Sequence, residues 1–221
     1  MRILTQGEGG LVVELGEGID PAVNARVHLL SRAIASRLAG EVEELVPSYR
    51  SLLVLHDPVR VPRERLVEEV LAIAREVEAT VAPPPRRVVQ IPTRYGGIHG
   101  PDLADVARLT GLSEEEVVRR HAAPVYQVLF LGFTPGFPYL GGLDPTLATP
   151  RLDTPRTRLP AGSVAIGGAQ TGIYPVESPG GWRIVGRTAL RLFDPHRENP
   201  FLLAPGDGLR FVPVEELEVE G

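Results

Sequence analysis

Three consecutive prolines at residues 83–85 constrain this chain more than any other feature. A proline run fixes φ, removes backbone donors and clashes with a preceding helical turn. The stretch VAPPPRR (residues 81–87) therefore ends any helix and reads as a stiff, extended spacer. The apolar pattern changes across it. Before it, apolar residues recur at helical spacing. After it they fall in short runs broken by glycine and proline. A length of 221 residues suits two domains of about 80–130 each. The expected division is residues 1–81, a linker at 82–87, and residues 88–221.

The first stretch reads as an α/β unit. LVVEL (residues 11–15) predicts a strand. Val23, Val27, Leu30, Ile34 and Leu38 form an apolar stripe, with Asp20 as N-cap, Pro21 in the first turn and Gly40 at the end. VEELVP and SLLVLHD predict two strands around a turn at residues 47–50. A second helix is expected over residues 62–79, with Leu66, Val70, Ile73 or Ala74, and Val77 facing inward. Two helices on one face of a small antiparallel sheet close such a unit.

The second stretch opens with VVQIPTRY, a strand, followed by a helical pair, GPDLADVARLTG and LSEEEVVRRHA. Ser113 and Glu116 have capping-box spacing, and Arg119, Arg120 and His121 sit at the negative end of the helix. PVYQVLFLGF predicts a central strand. SVAIGG, TGIYPV, WRIVG, ALRLFD and LRFVPV predict further short strands, the pattern of a barrel or sandwich.

Composition excludes several classes of function. With no cysteine there is no disulfide, thiolate metal site or cysteine nucleophile. All 23 basic residues are arginine, so no lysine is present for Schiff-base chemistry. A net charge of −5 argues against a nucleic-acid partner. No apolar run suits a signal peptide or a membrane span, so a cytoplasmic location without membrane partners is expected. Neither a phosphate-cradling glycine loop nor a G-x-S-x-G elbow occurs, and the five histidines (28, 56, 99, 121, 196) are scattered. His28 reads as a near-surface helix residue and His121 as a helix C-terminal residue favoured by the dipole.

One region stands apart. Between residues 150 and 192 there are six arginines (151, 156, 158, 183, 187, 191) and only two acids, Asp153 and Glu177. Beside it lies GFTPGFPYLGGL, with Phe133, Phe137 and Tyr139 among prolines. Arginine, aromatic rings and glycine backbone suit the wall of a pocket for a small anion. The alternative is that these arginines line a barrel rim and pair with backbone carbonyls.

YGGIHGPDL, GLSEEEVVRRH, the long run GFTPGFPYLGGLDPTLATPRLDTPRTRLPAGSVAIGGAQTGIYPVESPGGW, and GRTALRLFDP together resemble the family of the 5-oxoprolinase B subunit, also described as allophanate hydrolase subunit 1 or KipI-like. The resemblance runs over essentially the whole chain and is densest over residues 95–195. Ala189 stands where the family usually has proline. The resemblance implies an α+β chain: a small ferredoxin-like α/β N-terminal domain, then a cyclophilin-like β-barrel domain. It implies one component of an ATP-dependent enzyme that opens 5-oxoproline (pyroglutamate) to glutamate together with the A and C subunits of 5-oxoprolinase, inactive alone. Nucleotide would be handled at a site shared with or supplied by a partner. Its metal requirement is left open. One family member instead inhibits a histidine kinase, and related domains belong to carboxyltransferases acting on urea derivatives; both remain alternatives. On this reading Phe133, Phe137 and Tyr139 wall a substrate cleft. Gln170, Thr171 and Tyr174 supply hydrogen bonds. Ser178, Gly180, Gly181 and Trp182 form a turn and wall. Arg158 or Arg187 holds an anion, and His121 and Glu177 are the candidate acid–base groups.

Overall fold

The computed structural model describes residues 1–78 and 87–217. The expected proline-rich linker falls at residues 82–87, of which all but Arg87 lie outside the described residues. The chain divides into two compact units, Met1–Pro84 and Pro85–Gly221.

The first unit holds strands β1 (Arg2–Gln6), β2 (Gly10–Glu14), β3 (Glu44–Pro47) and β4 (Ser51–Leu55), and helices α1 (Pro21–Arg37) and α2 (Arg63–Glu78). The strands form one antiparallel sheet in the order β1-β2-β4-β3. Period-two alternation puts Leu11, Val13, Leu52 and Val54 on one face. They pack there with Val27, Leu30 and Ile34 of α1 and Leu66, Val70 and Ile73 of α2. Asp20 caps α1 by accepting from the Ala22 amide at 2.7 Å, with Pro21 in the first turn. His28, expected near the surface, is buried on α1.

The second unit is built on a closed seven-stranded barrel. Its strands are β5 (Val88–Tyr95), β6 (Tyr126–Leu131), β7 (Pro138–Gly141), β9 (Ser163–Gly167), β10 (Gln170–Ile173), β12 (Arg183–Arg187) and β13 (Gly208–Pro213), in the order β10-β7-β6-β13-β5-β12-β9. A small barrel is filled by its own side chains. Ile91, Tyr126, Val128, Val164, Ile166, Ile173, Leu209 and Phe211 fill this one, joined by Val106 of α3 (Leu103–Thr110) and Val117 of α4 (Glu114–Ala122). Beside the barrel, β8 (Arg156–Leu159) and β11 (Ser178–Gly180) form a two-stranded ribbon. The described residues are thus a mixed α/β structure with four helices.

Two local expectations are corrected. Ser113 does cap α4, accepting from the Glu116 amide at 3.2 Å. The Glu116 carboxylate does not complete a capping box, because Arg119 and Arg120 hold it at 2.7 Å. Hydrogen bonds from these two guanidinium groups lower its pKa to about 2. ALRLFD is not a strand, apart from one bridge between Phe193 and Phe201. Local side-chain bonds hold it at both ends instead: the Leu190 amide donates to Thr188 Oγ1, and the Asp194 carboxylate accepts from the amide of His196 just beyond the segment.

Candidate functional site

β5 alternates strictly. Ile91, Thr93 and Tyr95 turn toward the barrel interior, which leaves Arg94 on the outer face. β12 lies antiparallel beside it, with Gly186 opposite Tyr95 and Arg187 directly opposite Arg94. Arg187 reaches that face because of a bulge. The pairing of β12 with β9 shifts between Ile184 and Gly186, with Val185 as the extra residue. Ile184 packs in the outer aromatic cluster and Val185 in the barrel core. Regular alternation from Ile184 through Val185 would turn Arg187 inward; the bulge resets the phase. Arg94 and Arg187 both line a cavity of about 1100 Å³. The loop at Gly97 and His99, Gly162, Glu177, Arg191 and Glu215 form its other walls.

A second cluster lies on the outer face of the barrel. Phe137, Leu159, Ala165, Tyr174, Trp182 and Ile184 pack together with Tyr139 alongside. Phe137 makes edge-on contacts with Tyr139, Tyr174 and Trp182 at centroid distances of 4.9, 5.2 and 5.6 Å. Phe133 meets Phe137 and Tyr174 edge-on and is 61% exposed. Its φ of 64° is the left-handed region, a strained conformation for an aromatic residue. The Arg151 guanidinium lies 5.7 Å from the Trp182 ring. Gly180 lets the ribbon approach this cluster, since a Cβ there would stand 2.3 Å from the Tyr174 hydroxyl. Burial raises the Tyr174 hydroxyl pKa, with the Trp182 backbone hydrogen bond opposing the rise. Burial likewise raises Tyr139.

The residues expected at one cleft therefore divide. Phe133, Phe137, Tyr139, Tyr174, Gly180, Gly181 and Trp182 belong to the aromatic face or the ribbon against it, whereas Glu177 and Arg187 line the cavity. The segment from Tyr174 to Ser178 passes from one to the other. Arg158 and Glu177 form an exposed ion pair at 2.7 Å. The Ser178 hydroxyl is buried without a hydrogen-bond partner among the described residues, and Gln170 is buried at the start of β10. Of the six arginines in the basic stretch, Arg183 and Arg187 do donate to backbone carbonyls, those of Pro150 and Ala161, both at 3.0 Å.

His121 is not at the cavity. It has no exposed surface and sits inside the barrel against Tyr95, Tyr126 and Phe211. The Thr171 hydroxyl donates to the Ala165 carbonyl at 2.9 Å, so its oxygen accepts from His121 Nε2–H at 2.8 Å. His121 Nδ1 then accepts from the Tyr95 hydroxyl at 2.7 Å. Burial lowers the His121 pKa to about 3. Such a ring is a neutral, fully hydrogen-bonded core residue, and Thr171 is its partner. Among the described residues no group of three or more His, Asp or Glu side chains converges as a metal site would require.

The sequence reading missed Arg94 and Asp102. Arg94 stands in a recognisable strand, but its facing partner is set by long-range register. The buried Asp102 carboxylate accepts from Arg156 in a bidentate pair at 2.7 and 2.8 Å and from the Ile184 amide at 2.7 Å. It thereby ties the α3 entry to β8 and β12.

A family model for the carboxyltransferase domain, subdomains C and D, matches residues 1–203. The B subunit of 5-oxoprolinase from Escherichia coli O157:H7 is 44% identical over 95% of this chain and 94% of its own length. The chain belongs to the family of 5-oxoprolinase B subunits. The Bacillus subtilis member is 41% identical over 95% of the chain and 91% of its own length. The crystal structure of TTHA0988 superposes with a TM-score of 0.82 at 42% identity, covering 96% of this chain. This chain spans only 40% of that one, so the family fold is also carried within a longer polypeptide. No helix among the described residues is long and apolar enough to cross a membrane.

Proposed function

We infer that the chain works as one component of a 5-oxoprolinase, a hydrolase complex that opens the lactam of 5-oxoproline to glutamate. The near full-length 44% identity to a 5-oxoprolinase B subunit carries this reading. Residues 1–81 act as a ferredoxin-like unit, with β1 supplying its edge strand beside β2. Residues 82–87 are the linker, and 88–221 the cyclophilin-like barrel that bears the site. The chain acts with the A and C subunits in the cytoplasm and is inactive alone.

A lactam is a stable amide, and ATP supplies phosphoryl activation of its carbonyl oxygen when bound. The fit of this chain to a nucleotide is partial. The cavity offers guanidinium groups suited to a phosphate, while the described residues gather no carboxylate cluster for its metal. Nucleotide is therefore handled at a site completed by a partner. Of the cavity residues, Arg187 holds the substrate anion and Glu177 a proton at the rim; outside the cavity lining, Gln170 and the Tyr174–Trp182 face complete the substrate's surroundings. In the reconstituted complex, Arg187→Ala or Gln170→Ala lowers turnover at least tenfold with assembly intact. Unchanged turnover removes these roles.

Cell extract depleted of this chain loses 5-oxoproline consumption and regains it when the pure chain is added back. Consumption that is indifferent to the chain refutes the function. The carboxyltransferase family match supports one second reading, a component acting on urea derivatives. Bicarbonate-dependent carboxylation of urea in place of 5-oxoproline opening would select it.

A further inference from the structure

We propose that Arg94 and Arg187 form a two-arginine clamp for the oxyanion of a small ligand, a carboxylate or phosphate, in the 1100 Å³ cavity. The two are directly opposed across the β5–β12 pair. Side chains so placed leave the sheet on the same face, about 4.5–5.5 Å apart at Cβ, and like charges there repel. No ion pair with the described residues offsets this repulsion. The Arg94 guanidinium makes no hydrogen bond or ion pair with them. Arg187 spends Nε on the Ala161 carbonyl, which fixes the direction of its fork. Glu177 faces the cavity but is held by Arg158, Arg191 pairs with Asp194, and neither Glu215 nor Glu216 forms an ion pair with the two arginines.

A second feature points the same way. Arg187 reaches this face only through the bulge at Val185, a device that re-aims a side chain. The fold thus brings two guanidinium groups together at the wall of a cavity whose carboxylates, Glu177, Glu215 and Glu216, form no ion pair with either of them. Planar forks of this kind pair with carboxylate or phosphate oxygens.

The existence of the clamp does not depend on the proposed reaction; the identity of its anion does. If the chain serves 5-oxoproline opening, the clamped group is the substrate carboxylate.

The test is calorimetric titration of the purified full chain with 5-oxoproline, with 2-pyrrolidone, the same lactam lacking the carboxylate, and with inorganic phosphate. Saturable binding of 5-oxoproline is expected, with 2-pyrrolidone at least tenfold weaker. Arg94→Gln and Arg187→Gln should each weaken anion binding at least tenfold. Arg65→Gln, in the N-terminal unit, should leave it unchanged. Without ligand, Arg94→Gln should melt no lower than the parent chain, since it relieves repulsion, and it should lose the rise in Tm that the anion gives. Binding of phosphate but not 5-oxoproline supports the clamp while counting against the substrate reading. No saturable binding of either anion, or parental affinity in both variants, overturns the clamp.

Discussion

Trp182 is the single tryptophan of the chain, 5% exposed within the aromatic face, which makes its fluorescence a direct reporter of that face. Gly167 on β9 lies beneath it. A Cβ built at Gly167 would stand 2.5–2.6 Å from three atoms of the indole ring. Carbon atoms pack at about 3.5–4.0 Å, so the ring must retreat by about 1 Å. It cannot do so alone, because Phe137 and Tyr139 pack against it. Overpacking of this kind costs about 1–3 kcal/mol. For a chain of this size a loss of about 2 kcal/mol lowers Tm by roughly 4–8 °C. Gly167→Ala should therefore melt several degrees lower, with Trp182 emission shifted to the red as the ring moves toward water. The neighbouring Gly168→Ala separates packing from backbone strain. Its φ is +64° with nothing within 4 Å of the added Cβ. It should cost about 1 kcal/mol through the left-handed conformation and leave the emission maximum in place. An unshifted emission maximum and an unchanged Tm in Gly167→Ala would refute the packing described for the aromatic face.

Three other outcomes are expected. His121 titrates near 3 when folded, below the ordinary 6.5, so the unfolded chain takes up the proton first. Its contribution is intact above about pH 7 and is lost as pH falls from 6.5 toward 3, by up to about 1.4 kcal/mol per pH unit. Urea titrations should find the parent about 2 kcal/mol less stable at pH 5 than at pH 7.5, a difference that His121→Gln diminishes; an equal difference in the variant would contradict a neutral core histidine. Asp102→Ala strips the acceptor from Arg156 and from the Ile184 amide. Losing one partner of a buried pair costs about 3–5 kcal/mol, and because Arg156 is a third exposed and can rehydrate, about 2–3 kcal/mol is expected in denaturant unfolding. Glu177→Gln breaks only an exposed pair and should change stability by less than about 0.5 kcal/mol; a tenfold loss of turnover in the assembled complex would mark it as a proton-transfer group, and full turnover would remove it.

Local physics was legible in the sequence where it was decisive. The Asp20 cap, the proline start of α1, the Ser113 cap and the apolar stripes of α1 and α2 lie where their spacing placed them, because each needs only residues within a turn or two. β1 went unread because it is an edge strand with little burial and hence no apolar alternation. Residues 189–194 have strand composition, but Thr188 and Asp194 take up backbone amides locally. The site was legible as composition, not as geometry. Excess arginine flagged the region, yet the pairing of Arg187 with Arg94 depends on strands about ninety residues apart and on a one-residue bulge that leaves no local signature. His121 shows the same limit: its place at a helix end was readable, and its insertion into the barrel was not.

The most direct measurement is 5-oxoproline-dependent formation of ADP and glutamate by purified components, with this chain alone, its partner subunits alone, and all together. The account predicts equimolar ADP and glutamate only in the full mixture. Turnover by the partners without this chain, or none by a fully assembled complex, would contradict it.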